Sequence, residues 1–199
     1  MATTTSPEAS TEPTRRDFLY IATGTAAALG GALAAWPFID QMNPSTAALA
    51  LASIEQEISS VQEGQQLKVI WRGHPLFIRR RTAKEIAEST SVPVDSLPDP
   101  LARNANLPDD APATDANRLA NAGGAGKAEW LILVGVCTHL GCTPTVSTPQ
   151  EPQGDYGGWL CHCHGSQYDT AGRIRKGPAP QNLAVPPYTF LTPTRIKVG

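Results

Sequence analysis

Seven of the eight cysteine and histidine residues in this 199-residue chain lie between positions 137 and 164. They form two clusters, Cys-Thr-His-Leu-Gly-Cys at 137–142 and Cys-His-Cys-His-Gly-Ser at 161–166. Each cluster follows an apolar segment and ends in turn-forming residues, so we expect each to lie on a loop at the end of a strand. Two such loops, brought together, can enclose a metal centre.

The spacing within the clusters separates the possible kinds of centre. Haem attachment needs C-x-x-C-H and a thioredoxin-like site needs C-x-x-C, and the sequence contains neither. Tetrahedral zinc held by two cysteines and two histidines stays open as the alternative, and it would leave two cysteines free to form a disulfide. A C-x-H followed by C-x-x-H is the pattern expected of a [2Fe-2S] centre in which two histidines replace two cysteines on one iron. We therefore predict a mixed-ligand iron–sulfur centre.

The residues around the clusters resemble the Rieske iron–sulfur protein family. C-T-H-L-G-C and C-x-C-H-G-S match its two boxes, Q-Y-D at 167–169 continues the second box, and G-P-A-P at 177–180 matches the loop that covers the cluster. A predicted hairpin at 71–82 has the sequence W-R-G-H-P-L-F-I-R-R-R-T. Within that family, this segment resembles the iron–sulfur subunits of bacterial ubiquinol–cytochrome c reductases. The resemblance extends from the N-terminal anchor to the C-terminus.

This resemblance implies a ligand set. Cys137 and Cys161 would hold one iron of a single [2Fe-2S] cluster, and His139 and His164 would hold the other. Because imidazole ligands are neutral where thiolates are anionic, such a cluster accepts an electron more readily than an all-cysteine cluster.

The resemblance also implies the surroundings of the cluster. Cys142 and Cys163 would form a disulfide between the two loops, and export would provide the oxidising compartment that it needs. Ser166 and Tyr168 would donate hydrogen bonds toward cluster and cysteine sulfurs and raise the potential. His162 departs from the family, which often has proline there, and we expect it to be an exposed polar residue.

The activity implied is electron transfer in a respiratory or photosynthetic chain. His139 and His164 would be exposed at the tip, where His164 accepts a hydrogen bond from ubiquinol bound on a cytochrome b subunit. The head would then swing on its neck and deliver the electron to a c-type cytochrome subunit. The subunit would have no turnover alone and would belong to a dimeric oxidoreductase and translocase complex. The docking rim would consist of Leu140, Gly141, Gly177, Pro178 and Pro180.

Other carriers with similar boxes remain to be distinguished. A ferredoxin of a ring-hydroxylating dioxygenase is disfavoured, because it would lack Cys142, Cys163 and the anchor. The Rieske subunit of a cytochrome bf-type complex shares both boxes. The small subunit of another periplasmic oxidase could also use export and a disulfide. These two stay as alternatives.

An uncharged run at 18–39 predicts a transmembrane anchor, since a helix of that length spans about 33 Å. Arg15 and Arg16 precede it in a twin-arginine export pattern, with Asp40 directly after the run. By the positive-inside rule, this charge asymmetry predicts a single span of a bacterial inner membrane, with the N-terminus in the cytoplasm and the head in the periplasm. Residues 32–34 resemble a signal-peptidase site, but the apolar run continues past them, so we expect the anchor to be retained.

The predicted layout is mostly β. It comprises a cytoplasmic N-terminus at 1–17, the anchor at 18–39, a flexible neck at 40–53 and an antiparallel head at 54–199 with a cluster-binding part at about 130–182. We predict strands at 66–71, 76–80, 130–136, 158–160, 183–185, 188–191 and 195–198, a turn at 73–75 containing His74, and a short helix at 84–88. Residues 92–127 show little periodicity and predict a long surface excursion.

Composition excludes two classes of protein. A formal net charge of −2 provides no basic excess for binding nucleic acid by bulk attraction. Four cysteines are too few for a disulfide-dense secreted scaffold.

Overall fold

A long N-terminal helix is the first element of the computed structural model, which describes residues 14–46 and 52–199. Parts of the predicted cytoplasmic N-terminus and neck, residues 1–13 and 47–51, lie outside the described residues. The chain divides into two compact units after Thr46.

Helix α1 (Arg15–Asp40) contains the predicted anchor and begins three residues before it. Its start is fixed by a capping box, in which the Thr14 hydroxyl accepts from the Asp17 N–H and the Asp17 carboxylate accepts from the Thr14 N–H. None of its side chains is buried within the described residues. By length and composition it can cross a membrane.

The second unit is built from three antiparallel sheets, which confirms the mostly β prediction. The first sheet has the order β1-β10-β9, the second β2-β3-β4 and the third β5-β6-β7-β8. The strands are β1 (Ile54–Glu57), β2 (Gln66–Trp71), β3 (His74–Arg80), β4 (Trp130–Val134), β5 (Thr145–Val146), β6 (Gly157–Cys161), β7 (Ser166–Asp169), β8 (Ile174–Lys176), β9 (Tyr188–Thr192) and β10 (Arg195–Val198). Their inward side chains form one apolar core that includes Phe77, Ile132 and Trp159.

Short helices connect the sheets. They are α2 (Ala83–Thr90), a 3-10 turn (Val94–Ser96) and α3 (Asp115–Leu119). A second capping box, between Thr82 and Glu85, starts α2 one residue before the predicted helix.

Two local predictions are wrong. The hairpin turns at Arg72 and Gly73, which both have positive φ, so His74 is the first residue of β3 and pairs with Trp71. Residues 183–185 form no strand, because Val185 makes only an isolated bridge with Asn104.

The predicted surface excursion at 92–127 is partly buried, which corrects that prediction. Leu97, Ala102, Ala113 and Leu119 all lie in the interior. Weak periodicity concealed this burial, because irregular segments and the five-residue helix α3 carry these side chains inward, and no long helix or strand does.

Buried arginines hold these segments together. Arg173 Nε donates to Asp169 Oδ2 at 2.7 Å. Its Nη2 donates to the Ser89 carbonyl at 2.8 Å, and its Nη1 donates to the Ala113 carbonyl at 3.2 Å. It therefore joins the turn after β7 to the end of α2 and to the 92–127 segment. The other buried arginines are Arg79, Arg81 and Arg118.

Arg118 is fully buried and donates to backbone carbonyls, including those of Ala102, Ala171 and Leu183. Burial lowers the pKa of Arg118 to about 10, although Asp169 partly offsets this effect. The side chain is still protonated at neutral pH, so all of its N–H donors remain available to these carbonyls.

Replacing Arg173 with Met should lower the free energy of unfolding by about 3–5 kcal/mol, because Asp169 loses its buried partner. Lys84→Met is the matched control, since the Lys84–Glu88 pair is exposed and 3.7 Å apart, and should change it by less than about 0.5 kcal/mol. Urea unfolding of the full-length protein followed by circular dichroism measures both. Equal losses in the two variants would contradict the role of Arg173.

Candidate metal centre

Two loops with the same backbone design carry the predicted ligands. The first loop, 137–142, follows β4, and the second, 161–166, joins β6 to β7. In each, the carbonyl of the first cysteine accepts the N–H of a glycine four residues later, Gly141 or Gly165, at 2.9 Å. Both glycines have positive φ, 85° and 75°, which closes the turn without strain.

The disulfide predicted from the resemblance is present and joins the two loops. Cys142 and Cys163 are bonded, with their Cα atoms 6.7 Å apart. The sulfurs of Cys142, Cys161 and Cys163 lie within 4.8 Å of one another, but the two bonded cysteines have no thiolate to offer a metal. Cys137 and Cys161 are free thiols and are buried.

The two predicted histidine ligands lie side by side at the outer edge of these loops. The rings of His139 and His164 are edge to face, with centroids 4.6 Å apart. His164 is exposed and His139 is partly buried. His162 is exposed, as predicted.

These residues fit a metal group. His139 Nδ1 is the one buried side-chain nitrogen or oxygen without a hydrogen-bond partner in the part of the chain that the structure describes. An unsatisfied buried polar atom costs about 1–3 kcal/mol, and coordination to a metal would remove that cost. Two buried thiols and two neighbouring imidazoles provide the donor types that both zinc and iron–sulfur centres use.

A buried tyrosine lies against the first thiol. The Tyr168 hydroxyl donates to Cys137 Sγ at 3.3 Å and accepts from the Thr138 N–H at 3.3 Å. Burial and this contact with the thiol raise the pKa of Tyr168, so the phenol stays protonated and remains a donor.

The two free thiols differ in acidity. Burial raises the pKa of the Cys137 thiol, but hydrogen bonds from Tyr168, the His139 N–H and Ser166 outweigh it, and the net shift is downward. Burial and the hydrogen bond with Cys137 raise the pKa of Cys161. The hydroxyls therefore stabilise negative charge on the sulfur of Cys137.

A third loop, 177–180, covers the second one. The Ala179 N–H donates to Ser166 Oγ at 3.1 Å, and Ala179 is buried. Gly177 is needed at the start of this loop, because a Cβ there would lie 2.6 Å from the Ser166 Cα. The predicted rim residues are exposed on the first and third loops: Leu140, Gly141, Gly177, Pro178 and Pro180.

Sequence reasoning missed two residues that hold the covering loop. The Thr138 hydroxyl donates to the Gln181 carbonyl at 2.7 Å and accepts from its N–H at 3.3 Å. Asn182 is buried and hydrogen-bonded to the 92–127 segment. A hydroxyl directly after the first cysteine was the available signal for Thr138; Asn182 had none, because its partners are distant in sequence.

Comparison with known proteins agrees with this geometry. Residues 113–188 match the family model described as Rieske [2Fe-2S] domain, and residues 5–45 match Ubiquitinol-cytochrome C reductase Fe-S subunit TAT signal. The ubiquinol-cytochrome c reductase iron-sulfur subunit of Bradyrhizobium diazoefficiens is 48% identical over 98% of this chain and 99% of its own length. That of Cereibacter sphaeroides is 53% identical over 94% and 95%.

The chain belongs to the Rieske iron–sulfur subunit family of ubiquinol–cytochrome c reductase. A chain of the solved structure titled Hyperthermophilic respiratory Complex III is also similar, at 27% identity over 89% of this chain and 98% of that one, with a TM-score of 0.43. The cofactor of this Rieske protein is a [2Fe-2S] cluster, as the sequence predicted. The export signal and the apolar helix α1 indicate a single-pass membrane anchor.

Removing the disulfide of this Rieske subunit should free its two loops from each other. The double variant Cys142→Ala, Cys163→Ala should lose about 3 kcal/mol of stability, because a crosslink across 21 residues restricts the unfolded chain. It should also lose the cluster faster than the wild type on dilution into chelator, measured by the visible absorbance of the bound iron. Thr143→Ala, an exposed change in the same segment, is the control. Cluster retention equal to that of the wild type would show that the crosslink is not the clamp.

Proposed function

We propose that this chain is the electron-transferring subunit of a ubiquinol–cytochrome c reductase, taking an electron from ubiquinol and passing it to a c-type cytochrome. The observation that carries the proposal is the pairing of an exposed His164 with His139 above two buried free thiols. Relatives about half identical over nearly their whole length carry the name of that subunit. The chain acts as part of an oxidoreductase complex and has no turnover alone.

The proposed ligands are Cys137 and Cys161 on one iron and His139 and His164 on the other. When bound, the cluster accepts and releases one electron. The orphaned Nδ1 of His139 supports coordination through that atom, which would leave its Nε2 free. At the exposed His164, we propose that Nε2 accepts the hydrogen bond of a quinol hydroxyl and holds the proton that leaves with the electron.

Two hydroxyls are proposed to set the midpoint potential. Tyr168 donates to Cys137 Sγ, and Ser166 lies under the covering loop with its oxygen accepting from Ala179. Because the Ser166 oxygen accepts that N–H, its proton is available to a sulfur. Donors to sulfur favour the more negative, reduced state and so raise the potential.

Ser166→Ala and Tyr168→Phe should each lower the midpoint potential while the cluster remains assembled. Losing a hydrogen bond worth about 1.5 kcal/mol more in the reduced state corresponds to about 60 mV for one electron. Redox titration of the reduced cluster's electron paramagnetic resonance signal measures the shift. Ser147→Ala, another buried serine, is the control, and its potential should stay at the wild-type value. An unchanged potential in Ser166→Ala would remove the role proposed for that hydroxyl.

The partners proposed are a cytochrome b subunit with ubiquinol at the shared site and a c-type cytochrome subunit, in a dimeric complex. The rim around the histidines is exposed and partly apolar, and Leu140 is 71% exposed. An apolar side chain so exposed beside the redox site suits a docking contact that excludes water. We further propose that the neck at 40–53 lets the head reach both partners in turn.

Docking through Leu140 can be separated from cluster binding. Leu140→Asp, assembled in membranes in place of the wild-type chain, should keep its paramagnetic signal but lower quinol-dependent cytochrome c reduction at least about tenfold. Leu191→Asp is the matched control, because Leu191 is also exposed, at 45%, and lies on β9. Full turnover in Leu140→Asp would contradict docking at this rim. Purification of the wild-type chain without b- and c-type haem subunits would overturn the proposed function.

The proposed location is the bacterial inner membrane, with the N-terminus in the cytoplasm and the head in the periplasm. Arg15 and Arg16 lie at the first turn of α1, and the last turn carries Asp40 and no basic residue. This asymmetry favours retention of the N-terminal end on the cytoplasmic side.

Changing both Arg15 and Arg16 to Lys should leave the head on the cytoplasmic side. The charge is preserved, so a loss of export would report recognition of the guanidinium groups and not of the charge. Protease accessibility of the head in spheroplasts measures its side, and Arg195→Lys, an exposed change within the head, is the control. A double variant whose head is still cleaved in intact spheroplasts would contradict twin-arginine export.

A further inference from the structure

A buried amide and carboxylate pair lies where the covering loop ends, and its contacts take no part in the electron and proton transfer proposed above. Asn182 and Asp99 are 1% and 3% exposed. The Asn182 N–H donates to Asp99 Oδ2 at 2.9 Å, and Asn182 Nδ2 donates to the carbonyls of Asp99 and Leu101 at 3.0 and 2.7 Å. Asn182 Oδ1 accepts from the Ile174 N–H at 2.8 Å. Both Nδ2 donors and the Oδ1 of this amide are therefore engaged, and it joins β8, the covering loop and the 92–127 segment.

The position of this pair matters because the covering loop is short. β8 ends at Lys176 and Asn182 follows six residues later, so few rotatable bonds separate the two fixed ends. Between them, the Ala179 N–H contacts Ser166 Oγ. A displacement of the chain at Asn182 is thus transmitted to Ala179 over three residues.

Asp99 is itself held in place. Its Oδ1 accepts from the Leu101 N–H at 3.2 Å, and Arg103 donates to its Oδ2 at 2.9 Å. The carboxylate therefore presents Oδ2 to the Asn182 N–H from a fixed direction. Hydrogen bonds that share members in a buried site strengthen one another.

We propose that Asn182 and Asp99 are positioning residues that hold the Ala179 N–H on Ser166 Oγ. They would thereby keep the hydroxyl proton of Ser166 directed at a sulfur of the centre. This inference rests on the proposed function, since it concerns the potential of the same centre. The 92–127 segment, which contacts the end of the covering loop through Asp99 and Leu101, then helps to set the potential.

The test uses the full-length chain in membranes, with Asn182→Ala and the milder Asp99→Asn, which keeps an oxygen for the Asn182 N–H. Both should lower the midpoint potential, with the smaller shift in Asp99→Asn. Peptides covering 177–182 should exchange amide hydrogens about tenfold faster in Asn182→Ala. Redox titration reports only molecules that hold the cluster, so reduced yield does not obscure the result.

The matched control is Asn104→Ala. Asn104 is a buried asparagine of the same segment, and its side chain donates to the carbonyls of Asn117 and Ala120 and not to the covering loop. It should destabilise the segment while leaving the potential at the wild-type value. A shift of the midpoint potential in Asn104→Ala equal to that in Asn182→Ala would overturn the inference. The shift would then reflect general loosening of the segment and not the position of Ala179.

A double variant separates positioning from other effects. In a Ser166→Ala background, Asn182→Ala should produce no further shift, because the hydroxyl through which it acts is gone. An undiminished shift there, or a wild-type potential in Asn182→Ala, would overturn the inference. If Ser166→Ala still lowers the potential in that case, the proposed function stands without it.

Discussion

The structure depends on holding two loops face to face, because the proposed ligands are divided between them, Cys137 and His139 on the first loop and Cys161 and His164 on the second. Neither loop belongs to a helix that would fix it. Each is closed by a backbone hydrogen bond to a glycine, and the first loop also by the Cys137 N–H donating to the Cys142 carbonyl at 2.8 Å. The Cys142–Cys163 bond supplies the missing constraint from within the loops. It leaves Cys137 and Cys161 as the unpaired thiols, so the crosslink also decides which cysteines are available to a metal.

The rest of the head supports these loops from below. β4, β6 and β7 end at the loops, and their inward side chains belong to one core. Buried arginines then join segments that share no sheet, as Arg118 does between Ala102 and Leu183. An arginine is suited to this work because one side chain satisfies several carbonyls that turns leave unpaired. The irregular chain can therefore be buried without regular secondary structure.

Sequence reasoning predicted the parts whose signals are local. The C-T-H-L-G-C and C-x-C-H-G-S boxes, the apolar run of α1 and the alternation of β2 can each be read within a few residues. It failed for β1, whose partner β10 lies at the opposite end of the head's sequence, and for β8, which at three residues is too short to show a pattern. The burial of 92–127 was missed because its buried apolar residues, such as Leu97 and Ala113, follow no regular pattern, and its buried polar residues, such as Asp99 and Arg118, are not detected by a hydrophobic pattern.

The arrangement of polar groups also explains why the centre is divided between a rigid interior and an exposed edge. On the inner side, Tyr168 and Ser166 are buried and their oxygens are fixed by backbone N–H groups, so donation to sulfur costs little reorganisation when charge arrives. On the outer side, His164 is exposed and can contact a substrate. In the proposed mechanism, electron affinity is thus set from within while the proton leaves from the surface. A one-electron, one-proton reaction at a protein interface requires that separation, because the same group cannot be both shielded enough to tune a potential and open enough to meet a quinol.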